Sequence, residues 1–139
     1  EPFEPWHLAL LALQPEQASM RPFLTLSYGQ ALKDSGEGYT AFDGPTVIAC
    51  AGVAHCWPGR AQVWSLMSQS LSEYGALVHR AVVRYLRRCP VRRLELTVDP
   101  AHDKAVAWAR RLGFTYESTM PAYGPNGETH DMYVRIRKG

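Results

Sequence analysis

Between Ser72 and Phe114 the spacing of apolar residues changes from helical to alternating and back to helical, and no other feature constrains the fold as tightly. Tyr74, Leu77, Val78, Ala81, Val82 and Tyr85 recur at the spacing of one helix face, while Arg80, Arg84, Arg87 and Arg88 fall on the other. Ser72 to Arg88 is therefore expected to be an amphipathic helix. Pro90 ends it, because proline has no N–H for the helical ladder and its ring clashes with the preceding turn. Leu94-Glu95-Leu96-Thr97-Val98 alternates as a strand. Asp99-Pro100 then offers an N-cap followed by proline at the first helical position, which predicts a helix starting there. That helix runs through Ala105, Ala109 and Leu112 to Gly113, the glycine expected just past a helix end. A strand, a helix and a return to strand form a crossover unit, so at least one strand pair must be parallel.

The upstream half reads as an antiparallel meander. Trp6 to Leu13, after Pro5 and before Pro15, is expected to be a short helix, and Phe23 to Leu32 a second one ended by Gly36 and Gly38. Tyr39 to Phe42 and Thr46 to Ala54 flank Asp43-Gly44, a hairpin signal. His55-Cys56-Trp57-Pro58-Gly59 reads as a turn, and Gln62 to Met67 as the third strand. Phe114 to Met120 and His130 to Ile136 are the last two strands, joined through Gly124-Pro125-Asn126-Gly127. The class is α/β with a mixed (α+β) sheet, in which the Val63 and Val98 strands are parallel neighbours that splay near Ser68. In such sheets ligands favour the splayed end beside a helix N-terminus, where orphan N–H groups and the helix dipole attract anions. Here that is the start of the Ser72 helix.

With 139 residues and 46% hydrophobic content, one core is affordable and two ordinary domains are not, so residues 1–139 are expected to form a single domain. A net charge of +2 with 20% charged residues points to no polyanionic partner. Cys50, Cys56 and Cys89 are odd in number and lack C-x-x-C spacing, which argues against a disulfide framework or a zinc site and for a reducing, cytoplasmic setting. Arg, Pro or Gly interrupts every apolar stretch short of a membrane span, so no membrane partner is expected. The first residue is Glu1 rather than Met, which is compatible with a missing N-terminal strand.

Leu94 to Phe114, LELTVDPAHDKAVAWARRLGF, resembles the second half of the GNAT acyl-CoA N-acyltransferase fold, whose pattern is strand, Asn, Ala, helix and Gly-Phe. The meander and the closing hairpin before HDMYVRI are also similar to that family, so the likeness covers nearly the whole chain. It implies a coenzyme A cleft. In the family the pyrophosphate lies on amides of a Gln/Arg-x-x-Gly-x-Gly/Ala loop at a helix N-terminus, and the pantetheine on backbone groups of the third strand. Carried over, these positions are Tyr74, Gly75 and Ala76 for the phosphates and Leu66, Met67 and Ser68 for the pantetheine.

The carried-over positions also show departures. The loop falls on Ser70-Leu71-Ser72-Glu73-Tyr74-Gly75, where Gly75 alone keeps the family residue type. Ser70 stands for the basic or amide residue, and Glu73 places a carboxylate where two phosphates would approach. Ser70-x-x-Glu73 has the form of a capping box, whose side chains satisfy the helix's own N–H groups. His102 stands at the family's Asn, and Ala109 at the Tyr that commonly protonates the departing thiolate. Candidate catalytic groups are Glu73 as a base, His102 as a proton donor, and His55 beside Cys56 as a pocket or nucleophile pair. Each has a simpler reading: a helix cap, a surface histidine, and a turn with a buried cysteine. The Arg80, Arg84, Arg87, Arg88 face reads as a solvated helix face, with nucleic-acid binding ranked last among the functions. Of Trp57, Trp64 and Trp108, only Trp57 is expected to be exposed.

Two functions remain. One is an acetyl-CoA-dependent N-acetyltransferase acting on an amine of a small molecule or protein. The other is a catalytically degenerate GNAT-like domain with a structural or interaction role. The eroded loop, the missing Tyr and the short length are similar to small GNAT-like internal virion proteins of short-tailed phages. That likeness implies other virion proteins as partners, and a host cytoplasm or virion as the location.

Overall fold

The computed structural model describes residues 1–69 and 71–137, without the side chains of Glu16 and Ser72. Two 3-10 segments, Pro5–Leu10 and Pro15–Phe23, precede α1 (Leu26–Ser35). Then come β1 (Gly38–Asp43), β2 (Thr46–Trp57), β3 (Arg60–Met67), α2 (Leu71–Arg88), β4 (Arg93–Val98), α3 (Asp103–Arg111), β5 (Thr115–Met120) and β6 (His130–Ile136). The strands hydrogen-bond in the order β1-β2-β3-β4-β6-β5. The pairing of β3 with β4 is parallel, through Arg60↔Arg93, Ala61↔Leu94 and Gln62↔Glu95, while β1/β2, β4/β6 and β5/β6 are antiparallel. The expected mixed sheet is present.

Several boundaries differ from the sequence reading, each for a physical reason. The first expected helix is a 3-10 segment, and a second one occupies Pro15–Phe23, where Pro15 opens the segment and Pro22 sits inside it. Pro15 stands at the first position, where no N–H is needed, while the Pro22 ring would clash with the preceding turn of an α-helix and lacks the N–H for its i→i−4 bond. The true α1 starts three residues later than expected, at Leu26, where the Thr25 side chain accepts the Tyr28 N–H at 3.2 Å. β2 does not turn at His55 but continues to Trp57, because the reversal needs a positive φ that Gly59 supplies at 96°. α3 does not start at Pro100 but at Asp103. Asp99 to His102 instead form a turn, in which Asp99 Oδ1 accepts the Ala101 N–H at 2.9 Å and the Asp99 carbonyl accepts the His102 N–H at 2.9 Å.

The chain divides into two compact units, Glu1–Cys56 with Val63–Cys89, and Trp57–Gln62 with the residues from Pro90 onward. In the first, Phe3, Leu8, Leu11, Leu13, Leu24, Val47, Cys50 and Leu66 form one buried cluster, with Met20, Leu32, Phe42 and Trp64 packed against it. The N-terminal residues also extend the sheet, since Pro2 bridges Tyr39 of β1 in antiparallel fashion. α2 buries Val78 and Leu86, whereas Leu77 is 62% exposed and Ala81 is exposed, contrary to the expected stripe. A 3.6-residue period leaves adjacent choices of stripe centre nearly equivalent, and packing selects between them. In the second unit Leu94, Val98, Ala109, Phe114, Met132, Tyr133 and Val134 are buried.

Candidate functional site

The main chain of β3 is where a coenzyme arm would be expected to pair. The Ser68 N–H donates to the Ile48 carbonyl of β2 at 2.9 Å, so the even-numbered position faces β2. By strand alternation Ser65 and Met67 turn their main-chain groups to the opposite edge. That edge is already occupied by the chain itself. The Met67 N–H donates to Gln17 Oε1 at 2.8 Å, and Gln17 Nε2 donates to the Ser65 carbonyl at 3.0 Å. The Gln14 N–H donates to the Met67 carbonyl at 2.9 Å and the Gln69 N–H to the Ala12 carbonyl at 2.8 Å, around an antiparallel bridge between Leu13 and Ser68. Residues 12–14 thus act as an added strand segment, anchored by the buried Leu11 and Leu13, and Gln17 of the following 3-10 segment adds its side chain. Leu66, Met67 and Ser68 are themselves buried.

The expected phosphate loop is helical. α2 begins at Leu71, whose N–H donates to the Ser68 carbonyl at 3.1 Å. Gly75 and Ala76 therefore lie within the helix, where the i→i−4 ladder uses their N–H groups, and only the first turn leaves amides over. Glu73 is exposed in that turn, where its carboxylate complements the positive helix end. The Ser70 half of the expected capping box lies outside the described residues. Tyr74 donates its hydroxyl to Asp43 at the end of β1, and this bond raises the Tyr74 pKa.

The other candidates lie on different elements. His102 is a partly exposed residue at the N-cap position of α3, with no side-chain cap bond. Ala109 is fully packed at 1% exposure. His55 and Cys56 are exposed on the end of β2, so the cysteine is not the buried turn residue expected; it is a free thiol. Arg80, Arg84, Arg87 and Arg88 are exposed and line a shallow groove with His79 and Val83. Trp57 is exposed, with the Arg60 guanidinium 4.8 Å above its ring. Among the described residues no cluster of three His, Cys, Asp or Glu could hold a metal ion, and no helix is long and apolar enough to cross a membrane.

Two polar constellations escaped the sequence reading. Glu95 of β4, whose side chain is 4% exposed, accepts both Arg60 Nε and Arg60 Nη2 at 2.9 Å and Arg93 Nε at 2.6 Å. Arg93 also reaches Glu117, at 3.0 Å from Nη1. The bidentate Arg60 bond, opposed by burial and assisted by Arg93, pulls the Glu95 pKa down to about 2. The alternation of Leu94-Glu95-Leu96 placed Glu95 opposite the apolar face, which hid its burial. In the first unit the buried His7 accepts the Glu4 N–H at Nδ1, 3.0 Å away, and lies 2.8 Å from Thr40 Oγ1. Thr40 is in turn 3.6 Å from Cys50 Sγ, and burial pushes that thiol up to about 11, which disfavours the thiolate at neutral pH.

The sequence model of the Acetyltransferase (GNAT) family matches residues 6–114. The chain belongs to the GNAT acetyltransferase family. No curated protein matches it in sequence. Among solved structures, this GNAT chain is similar to Ard1 from Thermoplasma volcanium, with a TM-score of 0.73 and 16% identity over 100% of this chain and 97% of that one. It is also similar to the F149A mutant of spermidine N-acetyltransferase SpeG from Vibrio cholerae, with a TM-score of 0.67 and 14% identity over 98% and 93%. A third is RimL, a ribosomal L7/L12 α-N-protein acetyltransferase in complex with coenzyme A, with a TM-score of 0.65 and 20% identity over 84% and 76%. At such identities the likeness establishes the fold alone.

The residues present do not fit a bound acyl-CoA in this arrangement. The Ser65 carbonyl and both main-chain groups of Met67 are engaged by Gln17 and Gln14, and the phosphate loop is replaced by helix carrying the Glu73 carboxylate.

Proposed function

We propose that this chain is a catalytically degenerate GNAT-fold domain that serves as a structural or interaction module, as a component of a larger protein assembly such as a phage particle. The observation that carries this reading is the start of α2 at Leu71, which turns the phosphate-holding segment into helix and commits its amides to the helical ladder. The loss of a proton donor at the buried Ala109 supports it. An interaction role is supported by the exposed large apolar side chains of residues 6–28: Trp6, Leu10, Phe23, Leu26 and Tyr28. Single exposed apolar residues are ordinary, and it is the density of five within one stretch of 23 residues that supports a partner here.

A second reading, acetyl-CoA-dependent N-acetylation of an amine, is favoured by the retained parallel β3/β4 pair and by the N-acetyltransferases that share the fold. Calorimetric titration with acetyl-CoA, combined with mass-spectrometric assay of polyamines and peptide α-amines, separates the two. The degenerate domain shows no saturable binding below millimolar ligand and no acetylated product. Micromolar affinity with turnover would replace this reading by the second.

A further inference from the structure

We propose that Gln17 is a self-supplied occupant of the coenzyme edge, so that its side chain keeps the Ser65–Met67 stretch of β3 closed to acyl-CoA. The inference rests on the degenerate-domain reading and names the cause of its closure at β3.

A carboxamide has a donor and an acceptor on the same side. Gln17 uses both at once, giving Nε2–H to the Ser65 carbonyl and taking the Met67 N–H on Oε1. Those two groups flank Leu66, and they are the pair that one residue of an added parallel strand would engage. Gln17 therefore imitates an incoming amide-bearing chain, and a ligand whose arm carries amides competes for the same two bonds. The mimicry is local to the side chain. The Leu11 and Leu13 anchors, the Gln14 bond to the Met67 carbonyl and the Gln69 bond to Ala12 all stay in place if the Gln17 side chain swings away. Opening the edge thus needs a rotamer change and leaves the hydrophobic core intact. The Ser65 carbonyl and the Met67 N–H would then be part-buried polar groups that have lost their Gln17 partner, and this is what gives an amide ligand its gain.

The test uses the full chain with Gln17→Ala and, as a shape-keeping control, Gln17→Leu. Thermal melts first establish that each variant folds. Acetyl-CoA affinity is then read by titration, and hydrogen exchange of the Met67 amide is followed with and without ligand. The expected result is that both variants bind acetyl-CoA about ten- to a hundredfold more tightly than wild type, the equivalent of two ordinary hydrogen bonds. In the variants the Met67 amide exchanges faster than in wild type, and acetyl-CoA slows it again. Equal affinity of wild type and variants overturns the inference, and if that shared affinity is micromolar the degenerate-domain reading falls with it. If no form binds while the Met67 amide is freed, Gln17 is not what closes the site. The inference then fails, and the degenerate-domain reading stands on α2 alone.

Discussion

Replacing Glu95 by Gln isolates the charge at the centre of the Arg60–Glu95–Arg93–Glu117 network while keeping its shape. The carboxylate's pKa is drawn from the ordinary 4.5 to about 2, and each pH unit is 1.36 kcal/mol, so the ionised form contributes at most about 3 kcal/mol to the fold. Arg60 and Arg93 keep 30% and 29% of their side chains exposed and can rehydrate when the charge is lost, which lowers the expected cost to about 2 kcal/mol. For a domain of this size that is a fall in Tm of roughly 6 °C at pH 7. The sign of the pH dependence follows from a depressed carboxylate: its contribution is complete above the unfolded pKa and is lost as pH falls from about 5 towards 2. Urea unfolding of wild type and Glu95→Gln at pH 7, 5, 4, 3 and 2.5 should show a gap that is largest at pH 7 and narrows steadily below pH 5. A gap that is absent at pH 7, or one that persists unchanged at pH 2.5, would refute the assignment of this stabilisation to the ionised carboxylate.

His7 gives the opposite end of the titration range. Burial lowers its pKa below 6.5, against the raising influence of Glu4, so the unfolded chain takes up the proton first and stability falls as pH drops below about 6.5. Urea midpoints at pH 7.0 and 5.5 should differ in wild type, and the difference should shrink in His7→Gln. Gly75 sits inside α2 with open space where a Cβ would be, so Gly75→Ala should raise stability by about 1 kcal/mol in thermal melts. A loss of stability there would mean that the segment is not helical in solution.

The sequence determined the elements whose signals are local. Asp43-Gly44 marked the first hairpin, Pro90 the end of α2, Gly113 the end of α3, and His130–Ile136 the last strand, because a turn or a proline block acts within a few residues. The crossover between β4 and the strands after α3 was legible for the same reason, since the apolar period itself changes. Non-local partners decided the remaining features. Nothing near Gln17 announces that its carboxamide will meet Ser65 and Met67, 48 and 50 residues away. β6 lies between β4 and β5, and local pattern does not reveal strand order. Leu94-Glu95-Leu96 reads as an ordinary half-buried alternation until Arg60 arrives from another strand, and only then can a carboxylate be buried. The family loop shows the same division at the site itself. Residue types announced that Ser70 and Glu73 depart from the pattern, and the apolar period announced the helix from Ser72, while tertiary structure decided that the neighbouring strand edge is filled by the chain's own residues. Residue identity sets which hydrogen-bonding groups a segment carries, but only the folded chain determines which of those groups are already taken.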